Sequence, residues 1–196
     1  NIINIVSYAT GKYCWILGDD DLILSNKVLK ILKIIKEEKY EYYYINYFFK
    51  DLNERNDIIL NRDSQYIPQL EECYCKILEN IVIEKWENLL LIENRSPSGM
   101  FTAITSHVFK RELWIKYRKK LNQNGEEFSS SDLTFPHVKI LTYALTGKTV
   151  FYIGDPCVLL TLGSQDWGSY WHKLHLKDQN EIFDLISQFR KKGYEI

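Results

Sequence analysis

Asp19, Asp20 and Asp21 stand side by side directly after an apolar, β-favouring run, Tyr13-Cys14-Trp15-Ile16-Leu17-Gly18. Three neighbouring carboxylates repel one another, and a divalent cation with oxygen ligands is the usual way a protein turns that repulsion into binding. Mg²⁺ and Mn²⁺ have the matching ligand preference. The competing reading is a solvated acidic turn in which Asp21 merely helps the next helix. That suits one or two aspartates better than three behind a buried strand. Ligands of open α/β sheets gather at the carboxyl ends of strands, so position agrees with chemistry.

The elements that must hold the aspartates follow from patterning. Residues 1–9, then Thr10-Gly11-Lys12, read as a helix tail and a Gly turn leading into a strand over 13–17. Ser25 is a good N-cap. After it Val28, Leu29, Ile31, Leu32 and Ile35 recur at helical spacing, with Lys27, Lys30, Lys33 and Lys36 on the other side. A second strand is expected over 40–49, followed by a polar connection over 51–63 with a short strand near 58–60. Leu70, Tyr74, Ile77, Leu78, Ile81 and Leu89 predict a helix over 68–92, ended by a Ser96-Pro97-Ser98-Gly99 turn. A strand over 100–108, a basic helix over 109–121, a polar loop over 122–131 and an apolar helix over 135–145 closed by Gly147 come next. Strands over 149–153 and 157–162 flank Gly154-Asp155-Pro156, and an amphipathic helix over 169–192 carries Trp171, Leu174, Ile182, Leu185, Ile186 and Phe189. Strands alternating with helices predict an α/β layer fold, one domain over 1–196 with a C-terminal aromatic segment over 166–196.

Composition narrows the partners. The 196 residues are 45% hydrophobic and 26% charged, enough for one globular domain or most of one. With 25 Lys+Arg against 26 Asp+Glu, the net charge of -1 leaves no basic footprint for nucleic acid. Cys14, Cys73, Cys75 and Cys157 have no Cys-x-x-Cys spacing and sit in apolar segments, as free thiols of a reducing compartment do, so the cytoplasm is expected. No run approaches the ~18 apolar residues of a membrane span. The basic run from Arg111 to Lys120 reads as a solvated helix face that could also meet anionic lipid, which keeps peripheral association with the inner face of a membrane open.

The stretch from Thr10 to Asp21, followed by Leu22 and the helix after Ser25, resembles the region around the metal-binding Asp-x-Asp motif of family-2 glycosyltransferases with the GT-A fold. The run Gly99-Met100-Phe101 leading to Val108-Phe109-Lys110-Arg111, and Gly147-Lys148 before Phe151-Tyr152-Ile153, are similar to later segments of that family. The resemblance implies a partial GT-A domain, a Rossmann-like mixed sheet flanked by helices, whose first nucleotide-binding strands would precede Asn1. It implies transfer of a sugar from a nucleotide-diphosphate donor to a saccharide or lipid-linked acceptor, by inversion, with Mn²⁺ or Mg²⁺ bridging the donor phosphates. Asp20 matches the metal-binding carboxylate and Asp21 is the further candidate ligand. Gly18 replaces the first Asp of the commoner motif, so the nucleoside-side role falls to Asp19.

An inverting transfer also needs a general base, which the family places at the start of the helix ending in the Gly-Lys turn. Asp132 fits, although it could equally be a plain N-cap and lies about one helical turn farther from Gly147 than the usual acid. His137 is the rival, and Glu126 and Glu127 are third choices. Asp166, Trp167, Trp171, His172 and His175 lie where related enzymes close over donor and metal, and Trp faces suit sugar rings. Helical spacing explains Trp171 without a ligand. Two other readings compete: an α/β binding module with an incidental acidic turn, and a palm-type polymerase, in which Gly-Asp-Asp marks a hairpin.

Overall fold

The computed structural model describes residues 2–60, 65–92, 103–125, 130–163 and Ser187. These form a mixed six-stranded sheet flanked by helices, an α/β architecture. The strands are β1 (Tyr13–Trp15), β2 (Leu22–Ile23), β3 (Tyr42–Asp51), β4 (Ile81–Ile83), β5 (His107–Lys110) and β6 (Val150–Leu162). The sheet runs β1-β5-β3-β6-β2, with β4 also on β6. Only β3 and β6 pair in parallel; every other pairing is antiparallel. Apart from Ser187, the predicted final helix lies outside the described residues, as do the aromatic and histidine patch from Asp166 to His175, Glu126, Glu127, the Ser96-Pro97-Ser98-Gly99 turn and Gly99-Met100-Phe101.

β3 is the spine. Its first seven residues are all buried, as expected for a strand covered on both faces. Alternation sends Tyr42 and Tyr44 against His107, and Tyr43 to the other face against Tyr13, Tyr40 and Phe151. Beyond β5, Phe109 stacks on Trp114 of α4 (Arg111–Tyr117), and His107 meets His137 of α6 (Pro136–Leu145). These two helices therefore cover the Tyr42 and Tyr44 face. Before them in the chain come α1 (Ile2–Ile5), α2 (Ser25–Lys36) and α3 (Leu52–Leu60), and α5 (Ser131–Thr134) precedes α6. α6 ends, as the sequence predicts, where Gly147 takes the left-handed conformation at φ 73°.

Several expectations are corrected. The first strand stops at Trp15. Ser25 is the first residue of α2 rather than its cap, because Leu24 occupies the cap position with extended backbone and its amide donates to the Cys157 carbonyl at 2.9 Å. The apolar stripe of α2 is narrower than its sequence suggests: Ile31 and Ile35 are buried, whereas Leu29 and Leu32 are exposed. The second strand is Tyr42–Asp51 rather than 40–49.

The polar connection after β3 is helix α3, not a strand near 58–60. Asp51 Oδ1 accepts from the Glu54 amide and Glu54 Oε2 from the Asp51 amide, a reciprocal cap that nucleates the helix. Ile58 then anchors it in a cluster with Leu24, Phe48 and Leu159. The helix predicted over 68–92 is instead an irregular segment, the strand β4 and a 3-10 stretch, Trp86–Ile92. Tertiary contacts outweigh its helical spacing: the Tyr74 amide donates to the Tyr47 carbonyl, and Cys73 bridges Phe48. Phe109 and Lys110 belong to β5, and the basic helix is α4 followed by a 3-10 turn, Arg118–Lys120.

The two strands expected around Gly154-Asp155-Pro156 are one continuous β6 with a bulge. Its register against β3 jumps between Ile45 and Tyr47, so Asn46 alone faces four residues of β6. Asn46, fully buried, holds this site. Its Nδ2 donates to the Cys75 and Gly154 carbonyls at 2.9 and 3.0 Å, and its Oδ1 accepts from the Tyr47 and Cys75 amides. The four cysteines are free and buried. No helix among the described residues is long and apolar enough to cross a membrane.

Candidate metal and phosphate site

The aspartates lie in the short crossing from β1 to β2. β1 pairs with β5 and β2 with β6, so these flanking strands are not the two arms of one hairpin. Register places Leu22 opposite Leu159, and the Thr161 hydroxyl donates to the Asp20 carbonyl. The acidic turn is thus pinned to the C-terminal end of β6. From the other side, the Trp15 indole N–H donates to the Thr105 carbonyl at 2.7 Å. That contact brings the turn before β5 to the same place.

Asp20 and Asp21 converge. A Cβ built on Gly18 would lie 2.7 Å from Asp20 Oδ1 and 2.8 Å from Asp21 Oδ2, so both oxygens crowd one spot beside the glycine backbone and would have to turn aside for a side chain there. Burial pushes the Asp21 carboxyl up to about 6, and the negative charge of Asp20 adds to the rise. The Thr105 hydroxyl, the Thr161 amide and Arg55 pull the other way without restoring the usual value. Thr105 is buried, with its hydroxyl close enough to Asp21 to favour the charged carboxylate. Asp19 is exposed.

Among the described residues no group of three or more His, Cys, Asp or Glu side chains is placed to hold a metal ion. Two converging carboxylates still fit Mg²⁺ or Mn²⁺ in one particular setting: such ions take one or two protein carboxylates and complete their shell with water and substrate phosphate. Two carboxylate oxygens crowded at one spot match the protein's share of that donor set.

The base candidates lie elsewhere in the fold. Asp132, in the first turn of α5, is 5% exposed, and its Oδ2 accepts from the Asn122 amide at 2.6 Å and from Lys139 Nζ at 2.7 Å. It ties the preceding loop to α6 rather than capping its own helix. His137 is 1% exposed, with its ring 5.5 Å from that of His107 and 6.2 Å from that of Phe135. Neither is joined to the aspartates by a hydrogen bond between described side chains.

Thr105, Thr161 and Arg55 are the site residues that the sequence reading misses. Nothing local marks the two threonines. Arg55 had one available signal, the Asp51-x-x-Glu54 capping pattern that sets its helix. No protein-family model matches the chain, and no curated protein matches it.

Proposed function

We propose that this chain is the metal- and leaving-group-binding part of a GT-A glycosyltransferase that moves a sugar from a nucleotide-diphosphate donor to a saccharide or lipid-linked acceptor during surface polysaccharide or glycan synthesis. The observation that carries this reading is the convergence of Asp20 and Asp21 on Gly18, where burial holds the Asp21 carboxyl above its usual range. Asp20 and Asp21 would hold Mn²⁺ or Mg²⁺. The ion supplies charge neutralisation for the departing diphosphate, which then leaves without needing a proton. Exposed Asp19 faces the nucleoside side of the donor in this reading.

Asp132 and His137 are the two candidates for the general base, Asp132 tied to Lys139 and the Asn122 amide and His137 packed against two rings. The one that serves must come within about 3 Å of the hydroxyl proton it takes. The reaction would run in the cytoplasm, at the inner face of the membrane when the acceptor is lipid-linked. A palm-type polymerase fits less well, because the aspartates do not sit on a hairpin.

Calorimetry with Mn²⁺ and nucleoside diphosphates tests the reading. Asp20→Ala should weaken metal-dependent nucleotide binding by about 100-fold, the loss expected when a charged ligand is removed from a two-carboxylate site. Equal binding by parent and variant would sink the assignment.

A further inference from the structure

We propose that the outer face of α2 docks on an anionic membrane surface, with Leu29 and Leu32 entering the headgroup layer and Lys33 and Lys36 meeting its charges. The inference does not depend on the metal reading of the acidic turn.

The rotation of α2 is fixed from its inner side. Ile31 and Ile35 are buried in the core, and Lys27 and Lys30 both reach Asp155 of β6, each at 2.7 Å. Helical spacing then sends Leu29, Leu32, Lys33 and Lys36 to the opposite side, where they neighbour one another. All four are exposed, Leu29 at 77% and Leu32 at 49%. The fold itself makes no use of leucine at these two positions.

Charge decides what fits this face. α2 contains four lysines and no Asp or Glu. Asp155 engages Lys27 and Lys30, whereas Lys33 and Lys36 form no ion pair among the described residues. The two glutamates that follow the helix are held by other lysines, Glu37 by Lys39 and Glu38 by Lys12. The face therefore stays positive beside its exposed leucines. That pairing is what a helix lying in a bilayer interface requires, because the apolar side chains enter the headgroup boundary and the cations meet anionic lipid. The basic run from Arg111 to Lys120 lacks the apolar half, since its Leu113 and Trp114 are buried. Nucleic acid would use the lysines but leave the leucines in water. A second copy meeting this face with its own would set lysines against lysines.

The test sediments the protein with sucrose-loaded vesicles of phosphatidylcholine and phosphatidylglycerol in equal parts. The parent should bind these and not vesicles of phosphatidylcholine alone, and added salt should weaken the binding. Leu29→Ser with Leu32→Ser should lower the partition coefficient by about tenfold, as should Lys33→Gln with Lys36→Gln. Lys119→Gln with Lys120→Gln should leave it unchanged. The proposal is overturned if the parent does not bind, if it binds neutral vesicles equally, or if the two α2 variants bind like the parent. A loss confined to the Lys119 and Lys120 variant overturns it too. Because the four native cysteines are buried, Leu29→Cys offers one accessible thiol for an environment-sensitive dye. Its emission should shift to the blue on anionic vesicles, and an unshifted emission from bound protein would place the contact elsewhere and end the proposal. If the leucine variant instead abolishes self-association in sedimentation velocity and leaves vesicle binding intact, the face joins copies of the chain and the membrane assignment falls.

Discussion

Two acidic regions lie along β6 and are treated in opposite ways. At the bulge, Asp155 receives Lys27 on one oxygen and Lys30 on the other, each at 2.7 Å. Burial pushes its carboxyl up, but the two lysines outweigh burial and hold it below the usual range. At the far end of the same strand, Asp20 and Asp21 crowd together, and Asp21 rises to about 6. Glu41 and Glu72 follow the Asp155 pattern, with Lys110 and Lys148 on the first and Lys50 on the second. A carboxylate that helps hold the fold carries its counter-charge in the fold. At Asp21 burial outweighs the pull of Arg55 and the neighbouring hydrogen bonds, and the proposed cation site rests on that difference.

The comparison can be broken most severely at the bulge that separates the two regions. Asn46→Ala strands the Cys75 amide and the Cys75 and Gly154 carbonyls inside the core, and should cost about 3–4 kcal/mol, read as a large drop in the denaturant midpoint. A loss below about 1 kcal/mol would mean that the bulge is held by something other than this amide. The register behind both acidic regions would then need another cause.

Neutralising one carboxylate in each region sharpens the contrast. Asp21→Asn should stabilise the metal-free protein at pH 7 by about 1–2 kcal/mol, the two-unit rise discounted for partial exposure, and should abolish the Mn²⁺-dependent gain in melting temperature. Asp155→Asn should instead destabilise by about 1 kcal/mol, the scale of a half-buried ion pair. Thermal unfolding with and without Mn²⁺ reads both. Equal signs would erase the distinction.

The smallest effect is in pH. Asp21 has a folded value above its unfolded one, so its penalty is present above pH 6 and lifts as pH falls from about 6 towards 3.8. Asp155 is held below its ordinary value of 3.8, so its contribution is present above that value and disappears as pH falls below it. Denaturant midpoints of the metal-free protein should therefore rise slightly between pH 7 and 4.5, and Asp21→Asn should flatten that rise. An unchanged slope in the variant would assign the effect to other groups.

How much was legible follows from the range of each signal. The acidic turn, α2, the core of β3, and α6 with its Gly147 stop are local: a hydrophobic period and a terminator suffice. The apolar spacing over 68–92 fits a helix, but hydrogen bonds from the Tyr74 and Cys75 amides to Tyr47 and Asn46 tie that part of the segment to β3 in an irregular path. α3 is not expected from the sequence because a polar composition reads as a connection, and the reciprocal Asp51–Glu54 cap that starts the helix shows only in the structure.

The sequence by itself sets three carboxylates side by side after a strand and makes a divalent cation the expectation. Adjacent charges on one chain state that without any fold. That a second strand, β2, separates them from α2 is the structure's correction. Only the tertiary structure decided which two of them converge, that Gly18 leaves room for both, and that Thr105, Thr161 and Arg55 come from three other elements to the same corner. Those residues are separated along the chain, and only pairing of β2 with β6 and the return of α3 brings them together.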